Sequence, residues 1–125
     1  MSEAVFADTF AIVEHLRGNW KFQKYFREDS VIITKYNLAE LYYSLFSEFG
    51  EKIADDYYDY FLPHCVEPED LTIKNAMKLR HEFKKKGKNV SYADCIGYQL
   101  SLDLKIKFLT GNREFKNLPN VEFVK

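Results

Sequence analysis

The chain has 125 residues, of which 46% are hydrophobic, 17% aromatic and 30% charged, which is typical of one globular domain. We therefore predict a single domain over residues 1–125 and exclude a disordered chain. No apolar run approaches the roughly 20 residues of a membrane span, and the first residues do not resemble a signal peptide, so we expect an intracellular, cytoplasmic protein. The two cysteines, Cys65 and Cys95, lack metal-ligand spacing and are expected to be free thiols, which excludes a structural zinc site.

The net charge of −1 conceals an uneven distribution of charge along the chain. Residues 1–70 hold 6 basic and 14 acidic residues, whereas residues 71–125 hold 12 basic and 5 acidic residues. Such an asymmetry can indicate an anionic partner near the C-terminal half, or attraction between the two halves within the fold. Composition alone leaves both explanations open.

The first half of the chain predicts strands that alternate with helices. Short apolar runs indicate strands, and apolar residues at helical spacing indicate helices. The longest helical stripe includes Leu38, Leu41 and Leu45. In chain order, the predicted elements are a strand at 4–7, helices at 9–18 and 20–27, a buried strand at 31–33, and a helix that runs from Thr34, its N-cap, to Gly50.

The second half continues the same alternation. Its first helix is rich in tyrosine and is expected to stop before Pro63, because proline cannot donate a backbone hydrogen bond. The predicted elements are a helix at 51–62, a short strand at 64–66, a helix with Pro68 in its first turn that runs to Lys86 and is closed by Gly87, a helix capped by Ser91, and strands at 107–109 and 121–124.

This alternation predicts a three-layer α/β/α sandwich with a central, mostly parallel sheet, since parallel strands need crossover connections that helices supply. Ligands of open parallel sheets bind beyond the carboxyl ends of the strands. Asp8 comes directly after the predicted strand at 4–7, and Asn112 follows the predicted strand at 107–109, so both are expected at that edge.

Three acidic residues are candidates for a functional site, although each also has a simpler structural explanation. Asp8 can cap the helix that follows it, Glu40 can be a solvated acid beside the apolar stripe, and Asp94 can complement a helix dipole. Together with Asn112 they can converge on one edge of the sheet. Oxygen ligands from several elements suit Mg²⁺ or Mn²⁺, and such an ion can activate water for phosphodiester hydrolysis.

At these residues the sequence resembles the PIN domain, and more closely the VapC-type toxin ribonucleases of prokaryotic toxin–antitoxin pairs. The resemblance covers nearly the whole chain. Each motif alone matches the family loosely, but the occurrence of all four in this order is specific to it. The matching segments are residues 5–9 (VFADT), 34–43 (TKYNLAELYY), 91–98 (SYADCIGY) and 108–115 (FLTGNREF).

The resemblance implies a role for each matching polar residue. It makes Asp8, Glu40 and Asp94 the acids that hold Mg²⁺ or Mn²⁺ for catalysis. Asn112 occupies the fourth catalytic position, where the family usually has Asp, and can still offer a neutral oxygen. The accessory groups expected at the site are Thr9, Thr110 and Glu114.

The leading hypothesis is therefore a divalent-metal endoribonuclease that acts as the toxin of a type II toxin–antitoxin module. The alternative is a catalytically degenerate PIN module that binds RNA or a protein partner without cutting, because Asn112 replaces the fourth acid. A third hypothesis, a receiver-like or phosphatase-like protein with Asp8 as nucleophile, is disfavoured because residue 10 is Phe10 and the Asp-x-Asp spacing is absent.

Two surfaces are candidates for partner binding. Lys84, Lys85 and Lys86 crowd a predicted helix end, where they can contact RNA phosphates or simply complement the helix dipole. The aromatic residues of the two helices after Thr34 are expected mainly to pack in the hydrophobic core. In VapC-like proteins this region also contributes to a homodimer, and it can receive an amphipathic helix of the cognate antitoxin. The residues concerned are Tyr42, Tyr43, Phe46, Phe49, Tyr57, Tyr58, Tyr60 and Phe61.

Overall fold

Strands and helices alternate along residues 4–28 and 30–125, which are the residues that the computed structural model describes. The strands are β1 (Ala4–Ala7), β2 (Ser30–Ile32), β3 (Lys107–Thr110) and β4 (Val121–Phe123). The α-helices are α1 (Thr9–Leu16), α2 (Trp20–Glu28), α3 (Lys35–Phe49), α4 (Glu51–Phe61), α5 (Asp70–Lys85) and α6 (Tyr92–Leu104), and short 3₁₀ turns cover Leu62–His64 and Arg113–Phe115. None of these helices is long and apolar enough to cross a bilayer.

The four strands form one parallel sheet in the order β2-β1-β3-β4. Phe6 in β1 is level with Ile32 on one side and with Phe108 on the other, and Phe108 is in turn level with Val121. Parallel strands require crossovers, and the helices between them provide these connections. The predicted α/β class with a central parallel sheet is confirmed.

Side chains that alternate along β1 divide the core into two clusters, one on each face of the sheet. Val5 and Ala7 pack in a cluster with residues of α1, α2, α3 and α4. Phe6 points to the other face, where it joins residues of α5 and α6 together with Phe108 and Phe115. The sheet is therefore covered on both faces, as a three-layer sandwich requires.

Polar caps fix where the two helices nearest the sheet's carboxyl edge begin. The Thr34 hydroxyl accepts a 3.3 Å hydrogen bond from the backbone N–H of Asn37, and the Ser91 hydroxyl accepts one of 3.0 Å from the backbone N–H of Asp94. Both predicted N-caps are confirmed. Gly87 follows the C-terminal end of α5 and has φ +77°, a backbone conformation that residues with a side chain rarely adopt, so it terminates this helix.

Two details of the prediction are wrong. Residues 64–66 form no strand: Leu62–His64 is a 3₁₀ turn, and Cys65 makes one isolated bridge with Ile33. The pairing stops there because the partner segment enters α3 after Thr34, and because Pro68 on the other side has no N–H with which to extend it. Pro68 also lies before α5, not in its first turn, because Glu69 is extended and the helix begins at Asp70.

The remaining differences are small. Thr110 ends β3, whereas the sequence places it in the break after the strand. Cys95 is buried and Cys65 is half-buried, and both are free thiols.

Candidate active site

Asp8 is a buried carboxylate at the carboxyl end of β1, with 1% of its surface exposed. It caps α1, since its Oδ1 accepts a 2.8 Å hydrogen bond from the backbone N–H of Ala11. Its Oδ2 accepts a hydrogen bond from the hydroxyl of Thr110. Thr110 follows Leu109 in β3, just as Asp8 follows Ala7, and Ala7 and Leu109 are paired in the sheet. The N-cap geometry and the sheet register together hold both oxygens in place.

Glu40 reaches the same edge of the sheet from α3. The hydroxyl of Thr9, the residue after Asp8, donates a 3.0 Å hydrogen bond to Oε1 of Glu40. The same Thr9 oxygen lies 3.5 Å from the backbone carbonyl of Asn37, one turn earlier on α3. The first residue of α1 therefore connects Glu40 to the end of β1.

Asp94 lies in the first turn of α6 and interacts electrostatically with both other acids. Burial, and secondarily the charge of Asp94, raise the pKa of Asp8 to about 8. Burial, and secondarily the charge of Glu40, raise the pKa of Asp94 to about 6. The structure thus brings together three acids that lie at positions 8, 40 and 94 of the sequence, and their negative charges oppose one another.

The donor set suits a hard divalent cation, although the carboxylates are held by the protein's own hydrogen bonds. Within residues 4–28 and 30–125, no three histidine, cysteine or acidic side chains are arranged as a ready-made metal cage. Both oxygens of Asp8 and one oxygen of Glu40 accept hydrogen bonds from protein donors. Two carboxyls with raised pKa values beside a third are nevertheless a place where a dication would offset mutual repulsion.

Asn112 contacts this cluster through its backbone and not through its side chain. Its N–H donates a 2.9 Å hydrogen bond to the Thr110 hydroxyl oxygen, and that hydroxyl donates to Asp8. Its side-chain oxygen accepts a 3.0 Å bond from the backbone N–H of Glu114 and so caps the 3₁₀ turn. Asn112 therefore orients Thr110 toward Asp8, whereas its amide is engaged locally.

Glu114 is directed away from the three acids. Its Oε2 accepts a 3.0 Å hydrogen bond from the backbone N–H of Asn89, and its carbonyl accepts one of 2.9 Å from Nζ of Lys88. Both contacts tie the turn after β3 to the loop between α5 and α6. The structure does not bring the Glu114 carboxylate into the acid cluster.

The predicted basic cluster lies at the C-terminal end of α5, immediately before that loop. Lys84, Lys85 and Lys86 are exposed, and among the described residues only Lys85 of the three pairs with an acid, with its Nζ 3.5 Å from Oε1 of Glu82. The loop leads directly to the first turn of α6, where Asp94 lies. The basic cluster is therefore on the same edge of the sheet as the acids.

Sequence reasoning missed two features beside the acids. Asn37 is fully buried, its Oδ1 accepts a 2.6 Å hydrogen bond from the Thr34 hydroxyl, and its Nδ2 has no partner among the described residues. A polar residue three positions after an N-cap was the available signal. The second feature is an open cleft of about 480 Å³ beside Glu40, lined by Thr9, Ala39, Glu40, Tyr43 and Ser44.

The chain belongs to the PIN domain family, whose model matches residues 5–121. Membership of this family supports a nuclease function. No curated protein matches the chain with significance.

Solved structures show the same fold at low sequence identity. VapBC2 from Rickettsia felis, bound to a DNA fragment of its promoter, is similar with TM-score 0.74 and 19% identity over 98% of this chain and 99% of that one. DNA-bound VapBC from Salmonella typhimurium is similar with TM-score 0.74 and 18% identity over 99% and 98%. VapC20 of Mycobacterium tuberculosis, a toxin that cleaves the sarcin–ricin loop, is similar with TM-score 0.78 and 14% identity over 97% and 99%.

Proposed function

We propose that the chain is a divalent-metal-dependent endoribonuclease that acts in the cytoplasm as the toxin of a type II toxin–antitoxin pair. The observation that carries the proposal is the convergence of Asp8, Glu40 and Asp94 at the carboxyl edge of a PIN-family sheet, where burial and neighbouring negative charge raise the pKa values of Asp8 and Asp94. The fold shared with VapC toxins supports it.

Asp8, Glu40 and Asp94 are the residues that would hold Mg²⁺ or Mn²⁺. When bound, the ion supplies an activated water and polarises a phosphoryl oxygen of RNA. The protein's own groups position the acids: Thr110 and the N–H of Ala11 orient Asp8, and Thr9 orients Glu40. Ser91 begins α6 and thereby places Asp94 within its first turn.

The decisive experiment is cleavage of a single-stranded RNA with and without Mn²⁺. We expect cleavage with Mn²⁺ or Mg²⁺, none in EDTA, and a loss of at least about a hundredfold in Asp8→Ala and Asp94→Ala with the fold retained. Asp56→Asn is the matched control, because that acid is exposed and lies on α4. Cleavage that persists in EDTA after both acids are removed would contradict the proposal.

The alternative is a PIN module that binds RNA or protein without cutting. The side chain of Asn112 favours it, because it is neutral where the family usually has an acid and is engaged in capping a 3₁₀ turn. Calorimetry with Mn²⁺ separates the two. A Mn²⁺ site that is lost in Asp94→Ala would indicate a functional acid cluster, whereas a protein that binds RNA but neither binds Mn²⁺ nor cleaves would support the alternative.

The RNA is proposed to contact Lys84, Lys85 and Lys86. These exposed cations flank the loop that leads to Asp94 and would attract phosphates toward a negatively charged site. Replacing all three by Gln should lower the salt dependence of RNA affinity by about 0.7 in slope per lost contact. An unchanged slope would mean that these lysines do not contact RNA and only form a solvated helix end.

A homodimer and a cognate antitoxin are the proposed protein partners. Phe46, Phe49 and Ile53 have exposed fractions of 48%, 52% and 40% on α3 and α4, and such apolar area suits an interface. The VapBC complexes that share the fold support an antitoxin partner. Light scattering at tens of micromolar should report a dimer, and a monomer mass would contradict that part of the proposal.

A further inference from the structure

Tyr43 is an aromatic residue that the fold leaves in solvent beside the acids. Its exposed fraction is 73%, and it lies three residues after Glu40 on α3, so the two side chains share one face of the helix. Tyr43 and Glu40 line the same open cleft with Thr9 and Ser44. The ring is thus adjacent to the carboxylate that Thr9 positions.

The neighbouring tyrosine shows that this exposure is not general along α3. Tyr42 donates a 2.8 Å hydrogen bond to Asp55 and packs edge-to-face on Tyr58, with ring centroids 5.8 Å apart. Tyr43 has neither a hydrogen bond nor a ring partner within residues 4–28 and 30–125. Burial of a tyrosine ring normally stabilises a fold, so Tyr43 contributes little to this one.

The acids alone cannot attract the proposed substrate. A cluster of carboxylates repels a phosphate backbone, so affinity for RNA must come from groups beside the cluster. Aromatic rings supply such affinity without charge, because every base has a π-face on which a ring can stack. Bases inside a duplex are already stacked on each other, so an exposed ring can reach only an unpaired base.

We propose that Tyr43 is a stacking platform for one unpaired base of the RNA, next to the phosphate at which the acid cluster acts. The substrate class is then single-stranded RNA or the loop of a folded RNA. The inference rests on the proposed function and deepens it. Tyr43 would position the strand in the cleft beside Glu40 and would take no part in the bond-breaking step.

The test compares Tyr43→Ala with Tyr43→Phe and with a matched control. Trp20→Ala serves as the control, because Trp20 is an aromatic residue that is 77% exposed but lies on α2 and does not line the cleft beside Glu40. In Mn²⁺-dependent cleavage of a short single-stranded RNA, Tyr43→Ala should raise KM about tenfold, with a smaller change in kcat, since stacking is worth about that much per base. Tyr43→Phe and Trp20→Ala should stay near the parent value.

A second measurement reads stacking directly, without cleavage. The Asp94→Asn protein is mixed with RNA that carries 2-aminopurine at each position in turn. We expect strong quenching at one position, and its loss in the Asp94→Asn, Tyr43→Ala double variant.

Each contrary result has a distinct meaning. If the parent cleaves RNA while Tyr43→Ala keeps its KM and leaves the quenching intact, the stacking role is overturned and the nuclease proposal stands. If Tyr43→Ala changes the oligomeric mass but not the RNA affinity, Tyr43 belongs to a protein interface and the stacking role is likewise overturned. If the parent neither binds nor cleaves RNA, both proposals fail.

Discussion

Between the neighbouring strands β1 and β3, an apolar pair of side chains is followed, two residues later, by a polar pair on the same face of the sheet. Phe6 in β1 and Phe108 in β3 are level with each other, and their rings stack with centroids 5.7 Å apart. Two residues further along, Asp8 and Thr110 occupy the equivalent places and share a hydrogen bond. Both pairs are buried between the same two strands, so the difference lies in the chemistry of their side chains.

The apolar pair stabilises the fold, whereas the polar pair opposes it. Burying two phenyl rings releases water and gains dispersion contacts. Burying Asp8 disfavours its charged form and raises its pKa to about 8, even though two donors bind its oxygens. The comparison indicates that apolar contacts inside the sheet stabilise the fold and offset the cost of burying Asp8 at the carboxyl edge.

The two pairs are also linked through α6. Gly97 lies over the Phe6 ring, and a Cβ atom at that position would overlap the ring. The missing side chain lets α6 lie close to β1, and the first turn of the same helix carries Asp94. The apolar pair therefore helps to set where one of the acids lies.

The largest expected effect comes from breaking the apolar pair. Phe108→Ala leaves a cavity between Phe6, Tyr98 and Phe115, whose rings all contact Phe108, and should lower the free energy of unfolding by about 3–5 kcal/mol. Urea denaturation measures this change. Trp20→Ala is the control, since its ring is 77% exposed and its removal should cost less than about 0.5 kcal/mol. Equal losses in the two variants would mean that the interior does not dominate stability.

The second effect concerns the polar pair and depends on pH. In the metal-free protein the raised pKa keeps Asp8 protonated between pH 4 and about 8, whereas in the unfolded chain, with the ordinary value of 3.8, it ionises. Stability conferred by the neutral carboxyl is therefore full at low pH and falls as pH rises through this window, by about 1.4 kcal/mol per pH unit. Above about pH 8 this contribution no longer changes.

Asp8→Asn isolates that contribution. The amide can still accept from the N–H of Ala11 and donate to the Thr110 oxygen, but it cannot ionise. In EDTA, the variant should gain about 3 kcal/mol on wild type between about pH 5 and about pH 7, which is two units at 1.4 kcal/mol each. Asp56→Asn, at an exposed acid, should show no such gain. A pH-independent difference for Asp8→Asn would show that Asp8 ionises normally in the folded protein.

The apolar pair was more accessible to sequence reasoning than the polar one. Periodicity predicts β1, β3 and the helices between them, because burial of apolar faces depends on local pattern. The sequence predicts Thr110 outside its strand, because threonine is common in turns and only the register of the sheet pairs it with Asp8. The side-chain contacts of Glu114 and Asn112 were beyond prediction as well, because they depend on how the loop between α5 and α6 packs against the turn after β3.

The smallest expected effect comes from adding a charge beside the polar pair. In Asn112→Asp the carboxylate can still cap the 3₁₀ turn, since Asp and Asn are equally good caps, and the backbone N–H to Thr110 is untouched. The new charge joins an edge that already carries three acids. Under the proposed function it should tighten Mn²⁺ binding and raise RNA cleavage about tenfold, which corresponds to about 1.4 kcal/mol of transition-state stabilisation.

The same substitution should have the opposite sign in the metal-free protein, because an additional negative charge beside the acids then adds repulsion that no cation offsets. Thermal melts of both forms in EDTA and in Mn²⁺ measure this crossing: Asn112→Asp should melt lower than wild type in EDTA and show the larger rise on addition of Mn²⁺. Asn112→Ala is the control, since it removes the cap without adding charge and should melt lower in both conditions. Equal melts and equal cleavage rates for Asn112→Asp and wild type would place residue 112 outside the electrostatic reach of the acids, and its link to the site would then be limited to the backbone bond with Thr110.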